Sequence, residues 1–123
     1  MKETKCKQTH QYFQQAKNEC QTQIAALQAD HRDDEAVFIK IRLNMFEIFH
    51  SIFSVGENVA GESEEKLVAF FRQRWDKIHL DWKAALEKAE QYGNAEKTHI
   101  EHIKLDTVVQ IGEVFRCIWE VEK

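Results

Sequence analysis

The sequence contains no proline and only four glycines among its 123 residues. These two residue types mark strand turns and phosphate-binding loops, so their scarcity argues against a β-sandwich, a Rossmann fold or a Gly-rich phosphate loop. The remaining composition is typical of a globular protein, with 43% hydrophobic and 31% charged residues. We therefore expect a helical protein with few interruptions.

Basic residues are not in excess: the sequence has 17 lysines and arginines and 21 acidic residues, which give a net charge of -4. Phosphate contacts by basic side chains supply most nonspecific affinity for nucleic acids, so we expect no nucleic-acid partner. No segment approaches the roughly 20 apolar residues of a membrane helix, so we expect no membrane association. The N-terminal segment lacks the apolar core of a signal peptide, which predicts a cytoplasmic protein.

The sequence has three cysteines, Cys6, Cys20 and Cys117, and no Cys-x-x-Cys motif. An odd number of cysteines without a secretory signal favours reduced thiols, and the missing motif argues against a zinc site. Cys6 and Cys117 would approach each other if the first and last helices are antiparallel, which the sequence leaves open. No motif in the sequence indicates a cofactor.

Apolar residues recur at intervals of three and four in four segments of the chain. This pattern predicts helices over about 3–29, 34–60, 64–92 and 95–121. Such short connections force neighbouring helices to run antiparallel. The sequence thus predicts an all-α fold, a single antiparallel up-down-up-down four-helix bundle that takes residues 1–123 as one domain.

Turn-forming residues stand at each predicted break. Gly61 and Gly93 suit the left-handed conformation that ends many helices, and Ser63 can cap the helix that follows Gly61. Asp33 or Asp34 is expected to cap the second helix.

The second predicted helix is more apolar than one core-facing stripe requires. Its regular seam consists of Phe38, Ile41, Met45, Ile48, Ile52, Val55 and Val59. Further apolar residues include Ile39, Leu43, Phe46 and Phe53, and the whole apolar arc covers roughly 200° where a core-facing stripe commonly covers somewhat over 100°. Two interpretations remain open: either this helix is covered on both sides, or the residues outside the seam form an exposed stripe.

An exposed apolar stripe would bury itself against another chain. Our leading functional hypothesis is therefore a non-enzymatic interaction module. It would form a homodimer, or bind an unidentified protein partner, through Ile39, Leu43, Phe46 and Phe53.

Two histidines are candidate metal ligands, because His50 and His79 flank the predicted core seam in the middle of the second and third helices. Glu47 with His50, and Glu96 with His99, also have the Glu-x-x-His spacing of ferritin-like di-iron bundles. The two pairs differ in level by about 16 Å along parallel helices, which argues against one shared site.

The segment Arg74-Trp-Asp-Lys-Ile-His79 has an Arg-x4-His spacing. In this spacing, in chain length and in fold class the sequence resembles the HEPN domains, a family of small all-helical ribonucleases. The resemblance implies that His79 acts as general base and Arg74 binds phosphate near a dimer axis. It covers only these two residues, and a small helical enzyme is the alternative to the interaction module.

Overall fold

The computed structural model describes residues 2–119, and it consists of four long helices joined by short turns. Their bounds are α1 Lys2–Ala29, α2 Asp33–Ala60, α3 Glu64–Gln91 and α4 Ala95–Trp119. The predicted all-α four-helix bundle is confirmed; the predicted end of the fourth helix at 121 lies outside the described residues. Over the described part of the chain, no helix combines the length and apolarity needed to cross a bilayer.

The second and third turns use the residues that the sequence places there. Gly61 and Gly93 have positive φ angles of 59° and 69°. Ser63 and Asn94 then cap α3 and α4, because each side-chain oxygen accepts the backbone N–H three residues later, at 3.1 and 3.0 Å. These turns therefore follow the predicted stop and cap chemistry.

The first turn differs from its prediction. Arg32, not Asp33 or Asp34, occupies the N-cap position of α2 and makes no capping hydrogen bond with its side chain. Both aspartates lie in the first helical turn instead. There their carboxylates still favour the helix start, because the helix dipole is positive at that end.

The centre of the bundle is α2, which packs against all three other helices, whereas α1 and α3 touch only weakly. The ring of Phe53 shows this position, since it approaches Phe71 on α3, Phe115 and Trp119 on α4, and His10 on α1, with centroids 5.1–6.3 Å apart. The aromatic part of the apolar arc of α2 thus packs against three neighbours. Burial of these rings contributes to the hydrophobic stabilisation of all four helices.

Helices α3 and α4 approach most closely at Gly112. A Cβ atom at this position would lie 2.5 Å from the ring of Trp75, so only glycine fits without movement. The Trp75 ring is fixed in turn, because its Nε1–H donates to the carbonyl oxygen of Val108 at 2.8 Å. The glycine inside α4 therefore marks a close contact between the two helices.

Candidate functional sites: the outer side of α2 and a histidine relay

The residues predicted to form an exposed stripe on α2 lie inside the bundle. Phe46 and Phe53 are 1% and 0% exposed. Ile39 and Leu43 are half-buried and pack against the core. The interpretation as an exposed stripe is therefore wrong for Phe46 and Phe53, because the neighbouring helices cover this side of α2, while Ile39 and Leu43 are covered only in part.

The exposed apolar residues of α2 lie on the opposite side, along the seam that the sequence assigns to the core. Val37, Val55 and Val59 are 47%, 51% and 64% exposed. Between them along the same side lie three half-buried isoleucines. We call this set the outer stripe, and its members are Val37, Ile41, Ile48, Ile52, Val55 and Val59.

A second feature is a chain of hydrogen bonds between α1 and α2, which we call the histidine relay. His10 Nε2 lies 2.8 Å from a carboxylate oxygen of Glu57. On the other edge of the same ring, His10 Nδ1 lies 2.9 Å from Nε2 of His50. The His50 ring stacks on Phe13 with centroids 5.0 Å apart, which holds it in this orientation.

The carboxylate fixes how protons are arranged in the relay. Since Glu57 can only accept when ionised, His10 Nε2 carries the hydrogen of that bond. In the neutral pair His10 Nδ1 then accepts from His50 Nε2–H, which leaves His50 Nδ1 as the free base. A proton added there can shift through the relay, so that the positive charge lies on His10 beside Glu57.

The surroundings of His50 disfavour a charge on its own ring. Burial lowers the pKa of His50 to about 4, with Lys17 and His10 acting in the same direction and Glu57 opposing them. Cys6 lies at the Glu57 end of the relay, where burial and the neighbouring carboxylate raise the pKa of its thiol to about 11. The thiol is therefore neutral around neutral pH.

The relay does not converge on a point where a metal ion could bind. His50 and Glu57 contact opposite edges of the His10 imidazole, so its ring separates them. Within residues 2–119 no group of three or more histidine, cysteine, aspartate or glutamate side chains could hold a metal ion. Glu47 and Glu96, the acids of the two Glu-x-x-His pairs, are exposed.

Arg74 and His79 are each held on a different aromatic ring of α3. The Arg74 guanidinium lies 3.9 Å from the centroid of Phe70. His79 stacks on Trp75, with centroids 4.7 Å apart and planes inclined by 9°. The ribonuclease hypothesis stays a prediction, and these contacts show that both side chains also have structural roles.

The sequence pointed to His50 but missed His10 and Glu57. In an antiparallel helix pair, residues equally distant from the turn lie at the same level. His10 stands 21 residues before His31 in the first turn, and His50 stands 19 residues after it. This symmetry about the turn is the signal that would have found the pair.

No family model, no curated protein and no solved structure matches this chain. The two sites are therefore the basis for its function.

Proposed function

We propose that the protein is a self-associating module, in which the outer stripe of α2 packs against the same stripe of a second copy. The observation that carries this proposal is the exposure of Val37, Val55 and Val59 on one side of α2, with half-buried isoleucines between Val37 and Val55. From Val37 to Val59 the stripe extends about 33 Å along the helix axis. Apolar side chains aligned on one side of a helix are typical of a contact region, whereas scattered apolar residues need no partner.

The spacing of the stripe supports a second copy as the partner. A two-fold dimer interface must be self-complementary, since the same surface is used twice. Ile41 and Val55 each lie seven residues from Ile48, and Val37 and Val59 each lie eleven residues from it. Two antiparallel α2 helices crossing at Ile48 therefore bring valine against valine and isoleucine against valine along the contact.

The dimensions indicate a reversible dimer. A stripe about 33 Å long and one helix wide covers about 330 Å² per protomer. Stable interfaces bury about 800 Å² per partner, so the polar residues beside the stripe must supply part of the contact. We expect association that depends visibly on protein concentration.

Sedimentation velocity across a wide concentration range tests the proposal. The wild-type protein should pass from monomer to dimer as concentration rises. The double variant Val55→Glu and Val59→Glu places two charges in the contact, and it should remain monomeric throughout. Because both side chains are half or more exposed, the variant should keep its helical circular dichroism.

Leu80→Glu is the matched control, since Leu80 is 67% exposed on α3 and lies outside the outer stripe. This variant should dimerise as the wild type does. A wild-type protein that stays monomeric at the highest concentration would contradict the proposal. So would a double variant that dimerises normally.

We further propose that this module acts in the cytoplasm. Its cysteines support this placement, because Cys6, Cys20 and Cys117 are all free. Unpaired thiols are typical of proteins in reducing compartments.

A further inference from the structure

Helix α1 is the least firmly packed element of the bundle. Like α3, it buries four residues, which in α1 are Cys6, Thr9, Phe13 and Cys20, whereas α2 buries seven. It packs mainly on α2 and makes few contacts with α4. Elements with few buried contacts open first in the native state, so α1 is the part of the bundle that can separate locally.

Polar links join α1 to each of the three other helices, and the link to α2 includes the Cys6 thiol beside Glu57. Trp119 Nε1–H on α4 donates to the Thr9 hydroxyl at 2.9 Å, and Lys5 pairs with Glu64 on α3 at 3.0 Å. The third link is the histidine relay to α2. It differs from the other two because its hydrogen bonds depend on the protonation of two imidazole rings, and imidazoles take up protons in mildly acidic solution.

The relay keeps its hydrogen bonds after it gains one proton, but not after it gains two. One added proton leaves every bond in place, since His10 can donate to Glu57 and to His50 at the same time. A second proton places N–H groups on both His10 Nδ1 and His50 Nε2, which face each other at 2.9 Å. Two N–H donors cannot point at each other across a hydrogen-bond distance, because neither can accept. The two imidazolium charges also repel each other.

We propose that the histidine relay is an acid-sensitive latch, and that uptake of the second proton releases α1 from α2. The remaining three helices stay together, since α2, α3 and α4 each contact the other two. Release uncovers the inner side of α2, including the ring of Phe46 that now contacts Tyr12 of α1.

The groups around the relay set the pH range. Cys6 and Lys17 face it from α1, Glu57 from α2, and Glu64 of α3 acts on the Cys6 thiol. From α4 the uncharged Trp119 contacts Phe53, whose ring also approaches His10.

The direction in which pH changes the stability of the folded protein follows from His50, whose pKa is lowered on folding from 6.5 to about 4. The folded state then binds fewer protons than the unfolded state between these values. The contribution of neutral His50 to the stability of the folded protein is thus fully present above pH 6.5, and it is lost as the pH falls toward 4. Opening of α1 should grow over this interval.

Native-state amide hydrogen exchange, followed by NMR at about pH 7 and about pH 5, tests the latch. After correction for intrinsic exchange rates, protection of α1 amides should fall about twentyfold more than protection of α3 amides, as a pKa lowered from 6.5 to about 4 requires between these two pH values. The Trp119 indole N–H should lose protection together with α1, because its acceptor is Thr9.

His50→Gln removes the titrating ring, while its side-chain amide N–H can donate to Nδ1 of neutral His10 and its oxygen can accept from Nδ1–H of protonated His10. In this variant the acid-dependent loss in α1 should disappear. His102→Gln is the control, since exposed His102 lies 3.7 Å from Glu90 and away from the relay, and it should respond as the wild type does. The latch is refuted if α1 and α3 lose protection equally in the wild type, or if His50→Gln keeps the α1-specific loss.

A measurement on the wild type alone keeps the proposal testable if His50→Gln does not fold. Long-range proton–nitrogen spectra of the imidazoles report the protonation of each ring nitrogen. Full protonation of both rings should coincide with the loss of α1 protection. If both rings become doubly protonated while α1 remains protected, the latch does not exist.

Discussion

The two sides of α2 carry similar numbers of apolar residues, yet they differ in the kind of side chain. The inner side presents aromatic rings, of which Phe46, Phe49 and Phe53 are at most 1% exposed. The outer side presents β-branched residues, and Val55 and Val59 there are half or more exposed. Aromatic rings bury the most area per residue, so they take the side that three helices can cover.

This difference shows why hydrophobic periodicity alone did not separate the core side from the outer side. A regular spacing of three and four residues identifies a stripe, but it does not say whether the stripe faces its own chain or another. On α2 the regular seam includes both Met45, which is 2% exposed, and Val59, which is 64% exposed. Side-chain size, rather than regularity, distinguishes the core side here.

The largest expected effect is on the inner side. Phe53→Ala removes a ring that contacts all three neighbouring helices, and it should lower the free energy of unfolding by about 3–5 kcal/mol. Urea denaturation followed by circular dichroism measures this loss. Val59→Ala on the outer side is the matched control and should cost less than about 0.5 kcal/mol when measured on the monomer. Equal losses would contradict the assignment of the two sides.

A smaller effect is expected where inner surfaces meet between α3 and α4. Gly112→Ala places a methyl group 2.5 Å from the Trp75 ring, which its hydrogen bond to Val108 holds in place. Overpacking costs about 1–3 kcal/mol, and the helix propensity of alanine returns about 1 kcal/mol. A net loss of up to about 2 kcal/mol should appear in the same denaturation experiment. A gain in stability would show that Trp75 can move at little cost.

Much of the fold could be predicted from the sequence. The helix ends follow from local chemistry, such as Gly61 with Ser63, and four periodic segments with short turns leave an antiparallel bundle as the expected arrangement. The cap of α2 at Arg32 could not be predicted, because three acidic residues in a row give no distinct cap position. The central position of α2 also depends on which helices pack diagonally, and helix order alone does not determine that.

The candidate sites could be predicted less well. His50 was recognised as a chemically unusual position, but its partners come from α1 and from seven residues further along α2. A hydrogen-bond chain between helices depends on register and on side-chain rotamers, which periodicity does not contain. The symmetry of His10 and His50 about the first turn was present in the sequence and could have been used.

Cysteine cross-linking of the outer stripe tests the central claim most directly. In a background with Cys117→Ser, single variants Val37→Cys and Val59→Cys should form a disulfide when mixed, since antiparallel α2 helices bring these positions together. Each variant alone should remain uncross-linked, because its own symmetry copy lies about 33 Å away. Efficient cross-linking of Val59→Cys with itself, or no cross-linking in the mixture, would contradict an antiparallel dimer through the outer stripe.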